Sequence, residues 1–187
     1  AVALAWIMFA AAPRATAPRD QRPALQQRDA TASVAEQIPA AAARYVGQGD
    51  AALDHGNLQQ ARDDYRKADE KAQHQCVACL LRLASVDRSL SDLGHAEDAA
   101  QKAVEAAHGR PGLLAAAEEA LGDLLSARAG SEHPKQHLLQ QAVQAFRSGL
   151  AAAPAGALHN QLQFKLGVVL LRARKDAEAK ALLTALP

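Results

Sequence analysis

The chain has 187 residues, of which 49% are hydrophobic and only 3% aromatic, and 21 basic and 20 acidic residues leave a formal net charge of +1. About a quarter of the residues are alanine, the strongest helix former, whereas the β-branched and aromatic residues that strands favour are scarce. This composition predicts an all-α protein. The balanced charge lacks the basic face expected of a nucleic-acid-binding protein, and two cysteines are too few for a disulfide-rich scaffold.

Residues 1–17 predict an export signal. Residues 1–12 form an unbroken apolar run, too short for a bilayer span of about 20 residues, and a small-x-small stretch follows at 15–17. The chain begins without Met or a basic leader, so we expect it to be truncated at its start. A buried helix and a short membrane anchor are the alternatives. Export predicts a periplasmic or secreted protein with no stable membrane span once the signal is removed.

Residues 18–41 are predicted to be a disordered linker that leads into the first helix. The stretch 18–33 holds two prolines with several Gln and Arg and almost nothing large and apolar. Such a composition cannot bury enough surface to offset the entropy lost on ordering. We therefore expect folded structure to begin between residues 34 and 41.

From about residue 42, one spacing of small and apolar residues occurs four times. An alanine is followed four and seven residues later by further small or apolar residues, in Ala61–Tyr65–Ala68, Ala99–Ala103–Ala106, Ala142–Phe146–Gly149 and Ala179–Leu183–Leu186. A matching half precedes each copy, most clearly in Leu121-Gly122-x-x-Leu125 and Leu166-Gly167-x-x-Leu170. Spacings of three and four mark one face of a helix, so each copy predicts two helices.

The joints between the paired helices also follow a pattern. Gly56 and Gly94 are predicted to supply the left-handed conformation that ends a helix. Pro111 and Pro154 follow the second helices and are predicted to stop them. The third copy has about eight extra residues at 130–137, which we expect to form an exposed loop.

This pattern resembles the tetratricopeptide repeat, a helix–turn–helix unit of about 34 residues. The resemblance implies a right-handed superhelix of about four repeats over residues 42–187, with boundaries near 42–76, 77–113, 114–156 and 157–187. The recurring alanines would lie where the paired helices cross. The chain stops in or just after the second helix of the fourth repeat, without a polar capping helix. We therefore expect a fragment whose uncapped last repeat allows self-association.

Cys76 and Cys79 are spaced to lie on one side of a helix start. A structural disulfide is the favoured interpretation for an exported protein, and two free core thiols are the main alternative. A redox site would need a βαβ setting, and zinc would need a second ligand pair. The pair is similar to the Cys-x-x-Cys of bacterial exported proteins that join these repeats to a thioredoxin-like domain. That resemblance implies a second hypothesis, the accessory region of a redox protein whose catalytic domain lies beyond Pro187.

The family resemblance places the working surface on the concave face, which the first helix of each pair lines. Carried over, the lining positions are Val46, Asp50, Leu53, Asp54, Ala84, Arg88, Ser91, Asp92, Glu119, Asp123, Ser126, Phe164, Val168, Leu171 and Arg172. Of these, the predicted partner-binding residues are Asp50, Leu53, Asp54, Arg88, Asp92, Asp123, Phe164, Leu171 and Arg172. The lining is acidic at one end and apolar at the other, which favours a protein or peptide with basic and apolar segments.

The sequence contains no phosphate-binding glycine loop, nucleophile elbow or zinc-protease motif. The seven histidines are scattered, and helix-end surface positions explain them better than a metal site does. We therefore predict a protein without catalytic residues, cofactor or metal. The sequence favours an interaction scaffold of the cell envelope.

Overall fold

The computed structural model describes residues 38–186, which form eight α-helices. Their bounds are α1 Ala40–Asp54, α2 Leu58–Lys71, α3 Val77–Ser89, α4 Leu93–Ala106, α5 Pro111–Ala129, α6 Gln136–Ala152, α7 Ala157–Arg172 and α8 Asp176–Thr184. Each helix packs against its neighbours in the chain, and α3 also contacts α5 as α5 contacts α7. The helices form four antiparallel pairs, which confirms the all-α solenoid of about four repeats. The predicted export signal and most of the linker lie outside the described residues.

Close approach of the two helices in a pair depends on small residues. A Cβ added to Gly49 would lie 2.5 Å from the Tyr65 ring, and one at Gly122 would lie 2.7 Å from the Phe146 ring. At Gly167 the same atom would lie 2.5 Å from Leu183. One large side chain therefore fills the space above each glycine. Three of the predicted crossing alanines are fully buried, namely Ala61, Ala142 and Ala179.

The second pair corrects the predicted register by three residues. Gly56, Ser91 and Arg174 occupy the same place in their turns and share a positive φ of 73°, 62° and 60°. Gly94 lies inside α4 and does not form the turn. Measured from the turn, the residue equivalent to Ala61 is Ala96 rather than Ala99. Ala96 and Ala99 are both buried, so the spacing of alanines in the sequence could not distinguish the two registers.

The extra residues of the third pair are only partly a loop. The segment between α5 and α6 covers 130–135, and residues 136 and 137 already belong to α6. The insertion thus lengthens both helices of the pair as well as their connection. No helix between residues 38 and 186 is long and apolar enough to cross a bilayer.

Candidate partner-binding face

The first helices α1, α3, α5 and α7 can be superposed on one register, set by Gly49, Ala84, Gly122 and Gly167. On each helix, we call the positions three residues before, one after and four after that reference residue the leading face, because members of this set on α1 and α5 bind side chains of the next first helix. These are Val46, Asp50 and Leu53; Leu81, Ser85 and Arg88; Glu119, Asp123 and Ser126; and Phe164, Val168 and Leu171. We call the positions six before, two before and five after the trailing face, because members of this set on α3 and α7 bind the preceding first helix. These are Ala43, Gly47 and Asp54; Ala78, Arg82 and Ser89; Ala116, Ala120 and Ala127; and Gln161, Lys165 and Arg172.

The leading face of α1 is joined to the trailing face of α3 by a polar contact. Asp50 Oδ1 accepts a 2.6 Å hydrogen bond from the Tyr65 hydroxyl and lies 3.2 Å from Arg82 Nε. Burial and the Asp50 carboxylate raise the pKa of Tyr65 well above its ordinary value, so the hydroxyl keeps its proton and remains a donor. The carboxylate of Asp50 is therefore already engaged by two side chains.

The leading face of α5 meets the trailing face of α7 in a denser cluster. Lys165 Nζ lies 2.6 Å from Glu119 Oε1 and 2.6 Å from Asp123 Oδ2. Gln161 donates a third hydrogen bond, of 2.6 Å, to Glu119. Burial alone would lower the pKa of Lys165, but attraction to Asp123 and Glu119 outweighs burial and raises it. The ammonium group stays charged and holds both carboxylates.

Arg172 closes the other end of the same interface. Its guanidinium donates 3.1 Å and 2.5 Å hydrogen bonds to the backbone carbonyls of Ser126 and Gly130, and it also contacts the Ser126 hydroxyl. These acceptors belong to the end of α5 and the first residue after it. Arg172 therefore fastens α7 to α5 and is not a free cation for a ligand.

The leading face of α7 is different, because it is apolar and uncovered. Phe164, Val168 and Leu171 are 55%, 38% and 46% exposed, at helical spacings of four and three. Leu53, on the leading face of α1, is 37% exposed. Within residues 38–186, these four are the large hydrophobic side chains that remain exposed, and all four lie on first helices.

The structure does not bring Asp92 to this face. Asp92 precedes α4, where its side chain accepts a 3.3 Å hydrogen bond from the backbone N–H of His95 and a 2.8 Å contact from the His95 ring. It also accepts a 3.0 Å hydrogen bond from Arg62 of α2. The His95 contact holds the pKa of Asp92 below its ordinary value. Asp92 thus caps a second helix, and the three-residue shift in register explains its misplacement.

The remaining predicted residues divide into two groups. Asp50, Asp123 and Arg172 lie between first helices, where neighbouring side chains or carbonyls engage them. Leu53, Asp54, Arg88, Phe164 and Leu171 are exposed on the first helices. The predicted acidic end of the groove is therefore largely neutralised within the chain, and the apolar end stands out.

Sequence reasoning missed Arg82 and Lys165, the two cations that neutralise the groove carboxylates. Both lie on trailing faces, and their partners are 32 to 46 residues away. The available signal was the repeat itself, because each cation lies two residues before the reference residue of its helix. If the trailing-face positions had been compared across the repeats in the same way as the leading-face positions, Arg82 and Lys165 would have been identified.

Cys76 and Cys79 are joined in a disulfide. Cys76 precedes α3, and its sulfur accepts a 3.1 Å hydrogen bond from the backbone N–H of Cys79. Both cysteines are fully buried, which favours a structural role over redox cycling of this pair. No group of three or more His, Cys, Asp or Glu residues within 38–186 is arranged to hold a metal ion.

Several solved structures share this architecture. The crystal structure of MamA covers 84% of this chain and 80% of its own at 16% identity, with a TM-score of 0.62. The nearly identical TPR-like repeats of a kinesin light chain from Podospora anserina cover 86% and 81% at 16% identity, with a TM-score of 0.62. The N-terminal domain of stress-induced protein-1 from C. elegans covers 70% and 98% at 22% identity, with a TM-score of 0.54.

No protein-family model matches the chain, and no curated protein matches it significantly. At these identities the structural likeness establishes the fold and leaves the activity open. The chain has the fold of a tetratricopeptide-repeat solenoid.

Proposed function

We propose that this solenoid is a non-catalytic interaction domain, which binds a protein partner along the leading faces of its first helices. One observation carries the proposal: the exposed large hydrophobic side chains of the described residues all lie on α1 and α7, at leading-face positions. Stacked helix pairs present such positions on an extended concave surface that suits another polypeptide. Exposed apolar side chains grouped on one face are typical of interaction sites.

The chemistry of the face defines the partner. Phe164, Val168 and Leu171 form an apolar stripe about two turns long, which fits the apolar side of another helix. Asp50 and Asp123 are neutralised by Arg82 and Lys165, so they offer little attraction to a basic segment. The main contribution to affinity is therefore apolar contact at α7.

Peptide display on the purified domain tests this proposal. Peptides selected on the native domain should bind the double variant Phe164→Ser with Leu171→Ser about tenfold or more weakly, because aromatic and aliphatic anchors dominate such interfaces. The matched control replaces Ala151 and Ala177, exposed residues of α6 and α8, with serine. Equal affinity for the native domain and the α7 variant would overturn the proposal.

We also propose that the chain acts outside the cytoplasm, in the periplasm or the medium. The apolar run at 1–12 and the small residues at 15–17 support this, and so does the Cys76–Cys79 disulfide, because such bonds persist in oxidising compartments. Residues 1–187 can be expressed in a bacterium behind the same Met-Lys-Lys leader as a control carrying Ile7→Asp and Phe9→Asp. The native chain should appear in the periplasm with residues 1–17 removed, and the control should not. An uncleaved native chain in the cytoplasm would contradict export.

A further inference from the structure

A cleft of about 180 Å³ lies between α2 and α4, the second helices of the first two pairs. The floor of the cleft belongs to α3, where Leu80, Leu83 and Asp87 are at most 9% exposed. Its walls include Asp69 of α2 and Ala99 of α4, which are both buried. The residues that line it belong to neither the leading nor the trailing faces. The cleft is therefore separate from the partner-binding face on the first helices.

The floor of the cleft carries a carboxylate where the other helix pairs carry an apolar side chain. Asp87 lies three residues after the reference residue of α3 and is 1% exposed. The corresponding residues of the other first helices are buried and apolar, namely Ala52, Leu125 and Leu170. The repeat architecture therefore does not require a charge at this position.

The wall of the cleft shows the same exception. Asp69 lies eight residues after Ala61 and is 6% exposed, and the corresponding residues of α4 and α6 are Val104 and Leu150. A buried carboxylate is costly unless it is paired and hydrogen-bonded, whereas a buried apolar side chain stabilises the fold. Two such carboxylates in one cleft, each at an apolar position of the repeat, indicate a binding role.

The chain compensates these carboxylates only in part. Asp69 Oδ2 lies 2.7 Å from His74 Nδ1, but Asp69 Oδ1 is buried and has no hydrogen-bond partner among the described residues. Asp87 Oδ1 lies 2.6 Å from Arg62 Nε, and the same guanidinium also binds Asp92. Burial raises the pKa of Asp87, although the attraction of Arg62 opposes that shift. The cleft therefore contains acceptor capacity that a further cation would satisfy.

The cations at the edge of the cleft do not fill this need. Arg66 and Lys102 are exposed, and each has a carboxylate four residues away on its own helix, Glu70 and Asp98. Residues at this spacing are neighbours on a helix surface. The edge is thus balanced in charge, and the excess of negative charge lies deeper, at the buried carboxylates.

The lining also defines the shape of the missing cation. Leu80, Leu83 and Ala99 form an apolar surface that suits a methylene chain. The volume is below the roughly 300 Å³ at which pockets for drug-sized ligands begin, so it has room for one side chain. We infer that this cleft binds a lysine side chain of a protein partner, with its methylene chain along the two leucines and its ammonium group at Asp69 and Asp87.

NMR titration of the full chain with two small probes tests this site. Nα-acetyl-lysine methylamide supplies one lysine side chain, and Nα-acetyl-norleucine methylamide supplies the same methylene chain without the charge. The lysine probe should shift the amide signals of residues around the cleft, with a dissociation constant on the order of 1 mM for so small a ligand. The norleucine probe should leave those signals unchanged.

Two variants that preserve side-chain shape remove one carboxylate each, Asp69→Asn and Asp87→Asn. Either change should weaken binding of the lysine probe about tenfold, the size expected when a hydrogen bond to a charged group is lost. The matched control is Asp63→Asn, at an exposed position of α2 outside the cleft, and it should bind the probe as the native chain does. Circular dichroism melts check that each variant keeps its fold.

Three outcomes would overturn the inference. The first is equal affinity of the native chain and both cleft variants for the lysine probe, and the second is equal affinity of the native chain for the two probes. The third is binding of free 1,4-diaminobutane more than about tenfold tighter than the lysine probe, which would assign the cleft to a small diamine. None of these outcomes affects the selected peptides that need Phe164 and Leu171, so this site and the proposed function can fail independently.

Discussion

The leading faces of α5 and α7 occupy the same repeat positions but have opposite chemistry. On α5 these positions are Glu119, Asp123 and Ser126, which bind Lys165 and Arg172 of α7, the next first helix. On α7 they are Phe164, Val168 and Leu171, which no described helix covers. A charged face fits only a helix that supplies cations at the right positions, and it penalises other partners. An apolar face accepts any helix of suitable shape. The apolar face of α7 therefore remains available to a partner, whereas the charged face of α5 is already bound to α7 of the same chain.

Removal of the cation from the charged interface should have the largest effect. Lys165→Met leaves Glu119 and Asp123 facing each other without compensation, and all three side chains are less than one-third exposed. Because an unpaired, partly buried charge is costly, we expect the free energy of unfolding to fall by about 2 kcal/mol in urea titration. Lys102→Met, at an exposed position of α4, is the control and should change it by less than about 0.5 kcal/mol. If Lys165→Met and Lys102→Met lowered the free energy of unfolding equally, the cluster would add nothing to stability.

The contribution of Lys165 should also depend on pH, in the alkaline range. Its pKa is raised above the ordinary value of 10.5, so the folded chain holds this proton more tightly than the unfolded chain. The stabilisation is therefore complete below pH 10.5 and is lost as pH rises through the pKa of the folded state. The difference in unfolding free energy between the native chain and Lys165→Met should be constant from pH 7 to 9 and narrow above 10.5. A difference in unfolding free energy that grows with pH would contradict the upward shift of the Lys165 pKa.

Conversion of the charged interface to an apolar one should have a smaller effect. The triple variant Glu119→Leu, Asp123→Leu and Lys165→Met gives α5 the kind of face that α7 has. Replacement of a whole charged cluster by packed apolar residues is often neutral, since no charge remains to be desolvated. We expect unfolding free energy within about 1 kcal/mol of the native chain, measured by the same urea titration. A triple variant as unstable as Lys165→Met alone would show that hydrogen-bond geometry matters more than charge balance.

The smallest effect on stability should come from the uncovered face. Phe164 is 55% exposed, so Phe164→Ser removes a side chain that is already more than half in contact with water. In thermal melts, the free energy of unfolding should fall by only about 1 kcal/mol. Val169→Ser on the same helix is the contrasting variant, because Val169 is 3% exposed, and it should destabilise clearly. A large loss in Phe164→Ser would mean that this side chain packs within the fold.

The sequence predicted the pair architecture because helix crossings require small residues at fixed spacing. Gly122 with Phe146 and Gly167 with Leu183 are such pairs, and both are visible as local patterns. The register of the second pair could not be read in the same way. Alanines at several positions of α4 satisfy the helical spacing in more than one register, and Ser91 holds the turn where a glycine was expected.

The candidate face was only half predictable for a related reason. Its apolar members follow from the family register, so Phe164 and Leu171 were found. The pairing of Asp123 with Lys165 joins residues 42 positions apart, and no local pattern encodes it. An unpaired carboxylate and a neutralised one look the same in a sequence, and only the packing of the helices distinguishes them.

Two of the turns within the pairs hold residues in a backbone conformation that their side chains disfavour. Ser91 and Arg174 adopt positive φ angles of 62° and 60°, close to the 73° of Gly56 at the same place. Side chains with a Cβ disfavour this region by about 1 kcal/mol, whereas glycine does not. Helix packing therefore imposes the turn, whatever residue occupies it. For protein engineering, these two positions are candidates for stabilisation by glycine substitution.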